Sequence, residues 1–246
     1  MNWFVYFFVT LLFLASNSYA KEFTYYISDK SSIPLQMQDK KGQQTGIVTD
    51  VINHLKIEGI SFKQEVLPFK RMIKNMASSE ESWITYGSAA WPGPQSTSLS
   101  KTPIIKVKHV LLTLNSSQFH DVEDLFGKTV VVIRGFDYPG LEPYFKNGLI
   151  LGFEVKTHQQ AIEAVLKGRA FAFPEMAFRL KYHLETSHVN LQSISLHSIS
   201  DIIPDYAINL CFSHTFPAIK RSIIENRLSE MQQTGELNNI LKKYIN

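Results

Sequence analysis

The apolar positions of this chain alternate between a two-residue and a helical period, and the switches mark out its elements. "EFTYYIS" reads as an opening strand. "GIVTDVINHLKIEG" then puts Val48, Val51, Ile52 and Leu55 on one helical face, with Gly59 as the expected stop. "ISFKQEVLP" alternates as a strand, and "FKRMIKNMA" returns to helical spacing with Met72, Ile73 and Met76. The first unit is therefore wound β, α, β, α. A second begins with "HVLLTLNSS", a strand that runs out into polar residues, followed by "GKTVVVIRG", a strand bounded by glycines. In "THQQAIEAVLKG", Thr157 and Gln160 form a capping box and Gly168 is the C-terminal stop. "RAFAFPEMAFRLKYHL" reads as a short strand, a turn and a helix begun at Pro174, and "DYAINLCF" as a further strand. "FPAIKRSIIENRLSEMQQTG" spaces Ile219, Ile223, Leu228 and Met231 for one buried helical face. Strands alternating with helices predict an α/β architecture.

The N-terminus departs from this alternation. "MNWFVYFFVTLLFLASNSYA" is apolar from Trp3 to Ala15, too short to span a bilayer comfortably, and ends with Ser18 and Ala20 at the spacing of a signal-peptidase site. Export, cleavage after Ala20 and a soluble periplasmic product are expected. With Cys211 the only cysteine, an intrachain disulfide and a lipid anchor behind the signal are both excluded, and Cys211 is expected in a buried strand. At 246 residues, 44% hydrophobic and 19% charged, the chain has room for two lobes. A formal net charge of +3 with no basic cluster argues against a nucleic-acid partner.

The order of these segments resembles the type II periplasmic solute-binding proteins related to extracellular solute-binding protein family 3. The resemblance is carried by "GQQTGIVTDVINHL", "LPFKRMIKNM", "LFGKTVVVIRGFDYPGLEPYF", "AIEAVLKGRAFAFPE" and "LSEMQQTGELNNILKKYIN", which span nearly all of the mature chain. It implies two α/β lobes joined by two crossing strands, with a small ligand held in the cleft between them. Lobe one is expected at 21–112 and 205–246, lobe two at 113–204, and the hinges near Leu112–Asn115 and Ile203–Asp205. The expected partner is a membrane ABC permease or a sensor, and the expected state a monomer without cofactor, metal or catalytic residues.

In amino-acid-binding members the stretch matching "WPGPQSTSLS" resembles "TxER", whose arginine clamps the ligand carboxylate. Here no arginine lies between Ser82 and Ser100. A neutral or cyclic ligand suits what remains: Trp91 as a stacking surface, with Ser88, Gln95 and Ser96 as polar partners, or else Trp91 only packs the loop. Arg134 is the leading cation, because "VVVIRG" puts it where a strand ends and a glycine turn begins. Arg71, after "LPF", is either a second ligand contact or a surface ion-pair partner, and Arg169 and Arg179 are expected in solvent. Asp137 and Tyr138 are expected to open the helix after the turn and have groups for a ligand hydroxyl or amine. Glu175 resembles the family's acid against the ligand amine, or is a helix-start acid.

Three catalytic patterns fail on spacing. "SLSK", Ser98–Lys101, is followed by Thr102 and Pro103, which oppose the helix that a Ser-x-x-Lys pair needs. "FGKT" has Val122 where a phosphate loop needs glycine, and His183 and His188 do not share a helical face. A small-ligand receptor closing by hinge motion is the leading function, with a sensory module and a dehydratase-like enzyme using Glu175 as the alternatives.

Overall fold

The computed structural model describes residues 21–29, 32–187 and 189–245. The expected signal segment and His188 lie outside the described residues. In chain order the strands are β1 (Lys21–Ser28), β2 (Met37–Gln38), β3 (Gln44–Thr45), β4 (Ile60–Leu67), β5 (Trp83–Gly87), β6 (Leu99–Val107), β7 (His109–Leu114), β8 (Thr129–Ile133), β9 (Leu151–Val155), β10 (Ala172–Met176), β11 (Ile194–Ser198) and β12 (Tyr206–Phe212). The helices are α1 (Ile47–Leu55), α2 (Phe69–Ser78), α3 (Glu142–Lys146), α4 (His158–Leu166), α5 (Ala177–Thr186), α6 (Ala218–Gln233) and α7 (Glu236–Lys242). No described helix is long and apolar enough to cross a membrane.

Two five-stranded sheets share one plan. The first runs β4-β1-β5-β12-β6 and the second β11-β7-β10-β8-β9. In each, three strands pair in parallel and the crossing segments add two more by antiparallel pairing, so that one strand, β12 in the first sheet and β7 in the second, runs against the other four. The central strands β5 and β10 are buried along their whole length, as strands covered on both faces are. Glu175 is thus a charged residue near the end of a fully buried strand.

Each sheet has its own core. Phe23, Tyr25, Val48, Ile52 and Phe212 anchor the first, and Leu112, Val131, Ile162 and Phe173 the second. Met176 and Phe178, at the β10–α5 junction, belong to the first sheet's core, so the two units meet there.

The chain passes between sheets at Lys108, from Val107 of β6 to His109 of β7, and returns through 199–205. The two passages are tied where Ile199 N–H donates to the His109 carbonyl at 3.2 Å. The first passage therefore precedes the expected Leu112–Asn115, because "HVLLTL" pairs with β10 and β11 along its length.

Other local expectations shift for identifiable reasons. Helix α1 ends at Leu55 through Lys56 in the left-handed region (φ 43°), short of Gly59. Its start needs Gly46, at φ 112°, since a Cβ there would lie 2.7 Å from the Leu35 carbonyl oxygen. Helix α4 is capped as expected at Thr157, whose Oγ1 accepts from Gln160 N–H, but the Gln160 side chain reaches Lys156 N–H instead of closing the box. Gly168 is left-handed and Arg169 N–H donates to the Ala164 carbonyl, a Schellman end. Pro174 does not begin a helix; it sits within β10, beyond Ala172 where pairing to β8 stops, and α5 starts at Ala177. On α6 the buried stripe is Ile224, Leu228 and Met231, while Ile219 and Ile223 are 77% and 38% exposed.

Candidate functional site

The junction of β10 and α5 gathers the buried charge of the second unit. Glu175 ends the apolar run of β10, and Arg179 lies one helical turn on, so the two side chains meet (Nη1 to Oε1, 3.3 Å) with 3% and 4% exposure. Met176 N–H donates to the same oxygen at 2.7 Å, and His158 Nε2 lies 2.9 Å from Oε2. His158 is brought there from the first residue of α4, whose N-cap at Thr157 turns the following side chain inward. Burial alone would raise the Glu175 carboxyl, but Arg179, His158 and the Met176 N–H outweigh it and pull it down to about 2.

Rings surround this pair. His183 stacks on His158 with centroids 4.2 Å apart, and the Arg179 guanidinium lies over Phe136 at 5.4 Å. From the first sheet come Tyr86 and Trp91 (5.7 Å) and Tyr206 (6.1 Å from Trp91), and Tyr206 meets His109 at 5.5 Å where the chain crosses. Trp91 Nε1–H donates to the Tyr206 hydroxyl at 3.2 Å, and burial still pushes that hydroxyl up to about 12. The charges of Arg179 and Glu175 act on His109, His183 and Tyr206, and that of Arg179 also on Tyr86. Burial lowers the pKa of both His109 and His183, the latter to about 3 with the charge of His158 adding to the effect.

Four buried side-chain nitrogens lack a hydrogen-bond partner among the described residues: Arg179 Nε, His109 Nδ1, His183 Nε2 and Trp83 Nε1. The first belongs to the Glu175–Arg179 pair, and the next two are on the histidines its charges act on. Buried polar atoms are rarely left unpaired, so three of them on neighbouring residues set this junction apart from the rest of the interior.

The residues singled out from sequence divide between this junction and elsewhere. Trp91 is half-buried at the junction and packs on the first core. Ser88 and Gln95 are buried but hold the loop together: Ser88 N–H donates to the Gln95 carbonyl, Gln95 Nε2 to the Tyr86 carbonyl, and Ser88 Oγ accepts from Ala90 N–H. Asp137 and Tyr138 do not open a helix, since α3 starts only at Glu142; Tyr138 is buried with its hydroxyl accepting from Ile133 N–H, which holds the turn, while Asp137 and Arg71 are exposed. Arg134 is 59% exposed, paired with Glu154 at 3.1 Å, and lines an open surface groove with Lys156 and Arg169. Arg179, expected in solvent, is instead the buried cation, because α5 begins three residues later than Pro174 and turns it onto Glu175. The Glu-x-x-x-Arg spacing of "EMAFR" was the available signal for it. His158, His183, His109, Tyr86 and Tyr206 carry no local signal at all.

Other motifs resolve as structure. Ser98 Oγ accepts from Arg221 Nη1 at 2.6 Å, and Lys101 is exposed on β6, a strand. Cys211 is fully buried in β12, and burial pushes its thiol up to about 12. Among the described residues no group of three or more His, Cys, Asp or Glu is arranged to hold a metal ion.

The whole arrangement of two such sheets with two passages recurs in solved proteins. A histidine-bound ABC uptake transporter substrate-binding protein from Streptococcus pneumoniae superposes with a TM-score of 0.71 at 18% identity, over 91% of this chain and 92% of that one. The chain has the type II periplasmic-binding-protein fold. A histidine kinase sensor domain with similarity to periplasmic binding proteins matches equally well (TM-score 0.71, 15% identity, 91% and 96% coverage). An ancestral amino acid-binding protein, a precursor of cyclohexadienyl dehydratase, follows at 0.67, 16% identity and 92% and 95% coverage. No protein-family model and no curated protein matches the chain. At these identities the likeness is one of fold.

Proposed function

We propose that this chain is an exported solute-binding protein that captures a small polar or cyclic ligand between its lobes and presents it to a membrane ABC permease. The observation that carries the reading is Arg179: a buried guanidinium with an unpartnered Nε–H, whose charge acts on Tyr86 and Tyr206 of the other sheet and whose helix is tied to the first passage. Lys108 and 199–205 serve as the hinges. Ala177 N–H donates to the Lys108 carbonyl at 2.8 Å, so α5, which bears Arg179, moves with the first hinge. The protein acts as a monomer in the periplasm after cleavage behind Ala20, and N-terminal sequencing of the exported protein is expected to begin at Lys21.

Hinge closure gives the test. A ligand that touches both lobes only in the closed form raises the melting temperature and shrinks the radius of gyration in solution scattering. A bound ligand that leaves scattering unchanged would sink the reading.

The sensor-domain match keeps a second reading in play, in which the same closure is reported to a signalling partner. Co-purification with a permease against a kinase separates the two. The dehydratase-like alternative requires Glu175 as general acid or base. Its carboxyl is pulled down to about 2 and both oxygens are engaged by this chain's own donors, which leaves no proton to give as an acid at neutral pH and makes it a weak base.

A further inference from the structure

We propose that the site takes a small ring-bearing carboxylate that has no ammonium group beside it; this rests on the solute-binding reading and narrows its ligand class. The first step concerns the acid. Both oxygens of Glu175 are occupied by this chain's own donors, Oε1 by Met176 N–H and Arg179 Nη1 and Oε2 by His158 Nε2, with 3% of the residue exposed. An incoming ammonium would have to displace one of these to find its counter-charge. The other acid acting on this cluster is Asp205, which is exposed and already accepts from Ser200 Oγ at 2.8 Å. An amine therefore meets no unengaged buried carboxylate at this junction.

The second step concerns the donors. Arginine has N–H groups and no acceptor. Nη1 of Arg179 is turned to Glu175, while Nε and Nη2 have no hydrogen-bond partner among the described residues. Nε and Nη2 form one edge of the guanidinium, and that edge matches the two oxygens of a carboxylate. The unpartnered His109 Nδ1 and His183 Nε2 add nitrogens whose tautomers can adjust to further ligand oxygens. The third step concerns shape. Tyr86, Trp91, Tyr206 and His109 form an unbroken chain of edge-on and tilted ring contacts, of which the part-exposed Trp91 and Tyr206 supply the aromatic surface for a planar ligand body. Acceptors are wanted, an ammonium is not provided for, and rings are offered.

The full mature chain is titrated by calorimetry with three probes that share one benzyl group: phenylacetate, L-phenylalanine and 2-phenylethylamine. Phenylacetate is expected to bind at least tenfold more tightly than L-phenylalanine, and 2-phenylethylamine not to bind. Arg179→Lys, which keeps the charge against Glu175 but loses the fork, is expected to weaken phenylacetate at least tenfold with the circular dichroism spectrum unchanged. L-phenylalanine binding as tightly as phenylacetate, or phenylacetate not binding, overturns the proposal on the unaltered protein alone, with no variant required. An amino acid that binds with contraction in scattering defeats the ligand class and leaves the solute-binding reading standing. A bound acid without contraction does the reverse.

Discussion

His183 lies flat against His158, ring planes 10° apart, while His158 is hydrogen-bonded to the buried carboxylate of Glu175. Burial, and then the charge of His158, lower the His183 pKa from 6.5 to about 3. Glu175 and Arg179 also face it, with opposing effects. A base whose folded pKa is depressed binds fewer protons folded than unfolded between those values. Its stabilisation is therefore complete above about pH 6.5 and is lost as pH falls toward 3, by up to about 1.4 kcal/mol per unit. The depressed Glu175 has the same sign in a lower window, from about 4.5 down to about 2. Melting temperature is expected to fall steadily from pH 7 to pH 4. His183→Gln should flatten the upper part of that slope, and an unchanged slope in calorimetry would contradict the assignment.

Glu175→Gln leaves Arg179 buried against a neutral amide. Removing one member of a buried pair costs about 3–5 kcal/mol, mostly the penalty of the charge left behind. Urea unfolding is expected to register a loss of that order. Replacing both residues together, as Glu175→Gln with Arg179→Met, should cost less than Glu175→Gln alone.

Tyr206→Phe removes the acceptor of Trp91 Nε1–H while keeping the ring between Trp91 and His109. A stability loss of about 1 kcal/mol is expected, with a shift in tryptophan emission as the indole loses its partner. Trp91→Ala goes further and takes away a stacking wall, weakening phenylacetate binding by about 1–3 kcal/mol in calorimetry with the fold retained.

Gly87 ends β5 where the uncharged loop folds back on it: a Cβ there would lie 2.0 Å from the Gln95 carbonyl oxygen. Gly87→Ala is expected to push the loop outward, breaking the Ser88–Gln95 backbone bond and loosening Trp91. The near-ultraviolet circular dichroism of the tryptophans should weaken along with the melting temperature. Gly93→Ala in the same loop meets nothing within 4 Å and suffers only from its φ of 76°, so it should cost less.

Local periodicity was enough to read the order of elements along the chain. "EFTYYIS", "ISFKQEVLP", "GKTVVVIRG" and "DYAINLCF" became strands, and the apolar faces of α1 and α2 were correctly assigned, because each depends on residues within a few positions of one another. The capping residue Thr157 and the stop at Gly168 were legible for the same reason. Together these segments also carried the resemblance to two-lobed binding proteins.

The site was decided elsewhere. Arg134 sits at the strand end its local context indicated, yet its side chain pairs with Glu154 on a neighbouring strand and stays in solvent. Arg179 looked like a surface residue until sheet pairing carried β10 through Pro174 and made α5 start at Ala177. His158, His109 and Tyr206 reach the same junction from three separate segments, and only the two passages between the sheets bring those segments together. A charge is buried only where partners desolvate and pair with it at once. Those partners are neighbours in space and not in sequence, so the pattern of residues along the chain specified the elements while packing between them chose which charge was enclosed.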